Sequence, residues 1–70
     1  MTLLSTVLFV VGAVHLAAAV PILLAPGRVR DALPRRYAEA VGGRRAWRGF
    51  GAGVASIGIS TVLIASALGA

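Results

Sequence analysis

From Thr2 to Leu24, and again from Gly49 to Ala70, the chain carries no formal charge; every Arg, Asp and Glu lies between Arg28 and Arg48. A helix over the first stretch rises about 33 Å, enough to cross a hydrocarbon core of about 30 Å. The second stretch has a similar reach. An Arg or Asp at the centre of either would cost about 2.5–3.5 kcal/mol on insertion, and neither contains one. The pattern predicts an all-α membrane protein: a two-helix transmembrane hairpin of one domain, with spans over residues 2–24 and 49–70 and a basic loop over 25–48.

The loop has its own punctuation. Pro26-Gly27 closes the first span, since Pro cannot continue the hydrogen-bond ladder and Gly suits a left-handed cap. Pro34 opens a short helix and Gly42-Gly43 ends it. Within it Leu33, Tyr37 and Val41 recur every four residues. This stretch reads equally well as an amphipathic helix at headgroup level or as a solvated turn with Asp31–Arg35 and Arg35–Glu39 pairs. Pro21, inside the first span, deletes one backbone bond and favours a kink.

Composition narrows the class. Seventy residues at 59% hydrophobic make one small domain, too small to bury that much apolar surface in water. With no cysteine there is neither a disulfide framework nor a thiolate metal site. The signal-peptide reading, with Ala17 and Ala19 as its cleavage motif, fails on two counts. The start "MTLL" has no Lys or Arg, and the apolar run continues through "VPILLA".

The net charge of +5 comes entirely from arginine. Seven arginines in the middle and none at either end place the loop in the cytoplasm and both termini outside, in the cell (inner) membrane. Arg28, Arg30, Arg35, Arg36, Arg44, Arg45 and Arg48, with Trp47, then meet anionic lipid headgroups at the cytoplasmic face. Nucleic acid is a poor partner for the same charge, because no recognition motif accompanies it.

In lipid, close packing and hydrogen bonds hold helices together. Ser5, Gly12, His15 and Ala19 form a small-residue face on the first span. Gly49, Gly53, Ser56 and Ser60, opening with a G-x-x-x-G, form the expected counterpart on the second. Counting inward from the loop puts His15 level with Gly58, within a half-turn of Ser56 and Ser60. The sole histidine then reads as interhelical glue bonded to a serine hydroxyl. Three functional readings compete: a proton or ion path, contact with a larger partner, and axial ligation of a haem or chlorophyll-type cofactor.

No catalytic constellation is present, because the hydroxyls lack a base and a group to orient it. The expected function is a non-enzymatic accessory subunit of a larger membrane complex, with other membrane subunits or further copies of itself as partners. A self-associating pore or transporter is the alternative. The absence of an acidic residue in either span argues against proton-coupled cation export.

Overall fold

The computed structural model describes residues 2–69, which form four helices and no strand: α1 (Leu3–Leu24), α2 (Pro26–Ala32), α3 (Arg35–Val41) and α4 (Arg44–Gly69). Ala70, the last residue of the expected second span, lies outside the described residues. The helical molecule measures 41 × 18 × 16 Å. Its length is set by α1 and α4, which pack side by side in opposite directions to give a hairpin-like pair.

Local chemistry sets the boundaries. Thr2 is extended and its hydroxyl accepts from the Ser5 N–H at 3.1 Å, so it caps the first turn of α1. The Ser5 hydroxyl donates to the Thr2 carbonyl at 3.0 Å, which lets Ser5 be fully buried without an orphaned polar atom. At the far end α1 runs through Pro21 to Leu24, and the Ala25 N–H closes the last turn onto the Pro21 carbonyl at 2.8 Å. Ala25 leaves helical geometry (φ −140°, ψ 61°) because the ring of Pro26 crowds the residue before it.

Pro26 nevertheless does more than end α1. It occupies the first position of α2, where its missing N–H costs nothing. The connection therefore holds two short helices where the sequence pattern marks one. Leu33 is extended before Pro34 for the same steric reason, and α3 follows directly. Its end is Gly42, with φ 116°, a backbone region that side chains other than glycine's rarely enter. The expected boundaries at Pro34 and at Gly42 hold to within a residue.

The second long helix starts at Arg44, five residues before the uncharged stretch begins. Absence of charge marks where an apolar span begins. It does not mark where a helix begins, and Arg and Ala are both good helix formers. Arg44, Arg45, Trp47 and Arg48 thus belong to the first turns of α4 and not to a loop.

Trp47 fastens α3 to α4. It is buried at 4% exposure, its Nε1–H donates to the Ala38 carbonyl at 3.2 Å, and Phe50 meets its ring edge-on at 5.6 Å. Ala38, not the Leu33–Tyr37–Val41 stripe, is the buried residue of α3; Leu33 and Tyr37 are exposed. The expected Asp31–Arg35 pair does not form, because the chain leaves helical geometry at Leu33–Pro34 and an i,i+4 pair needs an unbroken helix. Arg35–Glu39 lies within one helix and does form, at 2.8 Å.

Candidate functional site

The contact between α1 and α4 is a seam of small residues repeating every seventh position. Ser5, Gly12 and Ala19 are buried on α1, and Gly51, Gly58 and Ala65 on α4. The helices come closest where two glycines cross. A β-carbon placed on Gly12 would lie 2.6 Å from Val62 Cγ2 and 2.9 Å from the Gly58 carbonyl oxygen. One placed on Gly58 would lie 2.8 Å from Leu16 Cγ and 3.0 Å from the Gly12 carbonyl oxygen. Nearer the connection, a β-carbon on Gly51 would strike Ile22 at 2.7 Å. Only glycine permits this backbone approach.

The residues expected to face α1 from α4 do not. Gly49, Gly53, Ser56 and Ser60 are all exposed, and a β-carbon on Gly49 or Gly53 would meet nothing within 4 Å. The reason is angular. A helix turns about 100° per residue, so a two-residue offset rotates a position by about 200°. Gly49 against Gly51, and Ser60 against Gly58, differ by that offset. The expected face has the right period and lies on the opposite side of the helix. α4 therefore carries two small-residue faces, one filled by α1 and one uncovered.

The predicted depth of His15 is close, since Gly58 packs between Gly12 and Leu16. Its predicted partner is not found. His15 sits half-buried at the edge of the seam, with Nδ1 2.7 Å from the Val11 carbonyl oxygen one turn back on its own helix. The Ser56 hydroxyl likewise donates to its own helix, to Ala52 at 2.9 Å. A carbonyl can only accept, so the bond places the proton on Nδ1. In the neutral ring this leaves Nε2 as the lone-pair nitrogen. Among the described residues, no three His, Cys, Asp or Glu side chains gather into a metal-binding group.

The arginines divide into two sets. Arg30 donates from Nε to the Gly42 carbonyl at 3.0 Å, Arg35 pairs with Glu39, and Arg36 lies over the Tyr37 ring while donating to its hydroxyl at 3.0 Å. Arg28, Arg44, Arg45 and Arg48 make no side-chain hydrogen bond or ion pair among the described residues. Trp47, expected beside them at the lipid headgroups, is instead enclosed by protein; its N–H is already taken by Ala38.

The seam at Gly51, Gly58 and Ala65 is the feature that reading the sequence missed. The step of seven at Ser5, Gly12 and Ala19 recurs there, but Gly49 and Gly53 also have helical spacing, so spacing alone does not select this face. The chain matches no known protein family, no curated protein and no solved structure.

Proposed function

We propose that this chain is a small integral membrane protein whose α1 and α4 span the bilayer, with the arginine-rich connection cytoplasmic and both termini outside. Two features support a lipid setting. Both long helices are apolar enough to cross a membrane, with only 17% of either apolar window buried inside the chain. Large side chains such as Leu3, Val10, Val14, Ile57, Leu63 and Ile64 stand at least half-exposed. In water such a surface would aggregate, whereas in lipid it is already solvated. The 41 Å length suits a bilayer of about 40–45 Å including headgroups.

Within that membrane its role is that of a non-enzymatic accessory subunit, packed against a larger assembly. The observation that carries this reading is the uncovered face of Gly49, Gly53, Ser56 and Ser60. Lipid gives no hydrophobic gain for joining helices, so close backbone approach must supply the attraction, and small residues permit it. α4 has used one such face on α1. The other is open to a third helix.

Gentle detergent extraction followed by native mass measurement tests the proposal. The expected result is a partner membrane protein at fixed stoichiometry that Gly49→Leu/Gly53→Leu releases. A β-carbon at either position meets nothing within 4 Å inside the chain, and circular dichroism checks that the double variant keeps its helices. A chain that runs alone, or with partners indifferent to the double substitution, overturns the role. A stable homo-oligomer passing ions in liposomes favours the pore reading instead.

His15 supports a second reading. With Nδ1–H donated to Val11, Nε2 keeps the lone pair that axial ligation of a haem or chlorophyll-type metal requires. The checking observation is an absorption band of the purified complex that His15→Ala removes. A colourless complex, or a band indifferent to His15→Ala, refutes the ligand role.

A further inference from the structure

A cavity of about 550 Å³ opens where the end of α1 and the start of α2 meet the first turns of α4. Its lining includes Arg28, Arg44, Arg45 and Arg48, with Asp31 the one acidic side chain and Leu24 on the apolar side. Four positive charges and one negative leave a net +3 around this space. The geometry points to a binding site for an anionic glycerophospholipid headgroup, best filled by one that carries two phosphates.

Three independent features converge on this assignment. The four arginines of the cavity are the same four that make no side-chain bond inside the chain, while Arg30, Arg35 and Arg36 are each satisfied elsewhere. Four guanidinium groups brought together with only Asp31 against them repel one another. A phosphate diester relieves that repulsion and fits the donor fork of arginine in pairs. Second, the cavity has two chemistries: Leu24, Ala25 and Pro26 sit at the end of the apolar helix α1, and the arginines face them. An amphiphile with a charged head above a glycerol backbone matches both walls, whereas a free anion uses only one. Third, α2 lies against the first turns of α4 across the cavity. Arg44 folds over α2 at Gly27, where a β-carbon would come within 3.0 Å of its Nε. Asp31 has no ion-pair partner within 4.0 Å among the described residues, so it does not quench the site.

This assignment rests on the membrane reading, and the experiment separates the two. The purified chain is placed in phosphatidylcholine nanodiscs doped with phosphatidylglycerol or diphosphatidylglycerol, and retained lipid is counted by native mass spectrometry. One diphosphatidylglycerol per chain is expected, held more tightly than phosphatidylglycerol. Each arginine in contact with the bound headgroup contributes about a fivefold gain, so Arg44→Gln/Arg48→Gln weakens retention about 25-fold. Arg35→Gln/Arg36→Gln removes the same number of positive charges from outside the cavity and changes retention less than about threefold. Arg44→Lys/Arg48→Lys keeps the charge without the fork and falls between them. Circular dichroism checks that each variant keeps its helices.

Equal losses in the two glutamine doubles mean diffuse attraction and overturn the site. So does displacement of the lipid by inorganic pyrophosphate at matching concentration, which marks a pocket for a soluble phosphate. A chain recovered from cells without detergent fails the membrane reading itself. A chain that stays in the bilayer and retains no lipid fails this site alone.

Discussion

Gly58→Ala and Gly53→Ala add the same methyl group to the same helix, five residues apart, and the structure assigns them opposite effects. At Gly58 the new β-carbon would lie 2.8 Å from Leu16 Cγ, 3.0 Å from the Leu16 backbone nitrogen and 3.0 Å from the Gly12 carbonyl oxygen. Leu16 Cγ could yield by a rotamer change; the two backbone atoms yield only if α1 moves away. Overpacking of this kind costs about 1–3 kcal/mol. Removing a mid-helix glycine returns up to about 1 kcal/mol in helix propensity, so the net at Gly58 is a loss of up to about 2 kcal/mol. At Gly53 nothing lies within 4 Å, and only the propensity gain of up to about 1 kcal/mol remains. The propensity gain is common to both, so the two variants should differ by the overpacking cost of about 1–3 kcal/mol in reversible denaturant titrations in mixed micelles, followed by an interhelical distance probe. Gly58→Ala should also widen the helix pair at its crossing point. If both substitutions prove equally mild, or if Gly53→Ala is the harmful one, the seam is misplaced and α4 is rotated by about half a turn.

Trp47 is the sole tryptophan and is buried at 4% exposure, so its fluorescence should resist iodide and acrylamide. Quenching as efficient as that of a free indole would contradict its burial against Ala38. Trp47→Phe should cost about 0.5–1.5 kcal/mol by leaving the Ala38 carbonyl one donor short, with hydrogen exchange rising across α3. The φ of 116° at Gly42 makes Gly42→Ala destabilising by about 1 kcal/mol or more, and the β-carbon would sit 3.2 Å from that of Ala46. An unchanged melting temperature in Gly42→Ala would contradict that backbone geometry.

The long helices and their approximate limits were legible because their signals are local. Uncharged length marks both apolar stretches, and Pro26, Pro34 and Gly42 fix boundaries through sterics that act on adjacent residues. What was not legible depends on rotation about an axis. Gly49–Gly53 and Gly51–Gly58 both have helical spacing, and only the approach of α1 selects between them. α4 is rich in small residues on several sides, so its composition gives no preferred face. Trp47 shows the same limit: a tryptophan beside arginines matches an interfacial anchor, and nothing local records that α3 folds back to cover it. The partner of Arg30, the Gly42 carbonyl twelve residues on, likewise needs the three-dimensional path of residues 30–42, whereas Arg35–Glu39 is a local pair legible in the sequence.

The account depends most on both long helices crossing lipid with the arginines on the cytoplasmic side. The chain has no cysteine, so single introduced thiols report topology without background. Ala40→Cys, exposed on α3, and a cysteine appended after Ala70 provide one reporter for each side. In intact cells a membrane-impermeant maleimide should modify the appended cysteine and spare position 40, and inverted vesicles should reverse the pattern. Modification of position 40 from outside, or recovery of the unmodified chain in the detergent-free soluble fraction, would contradict it.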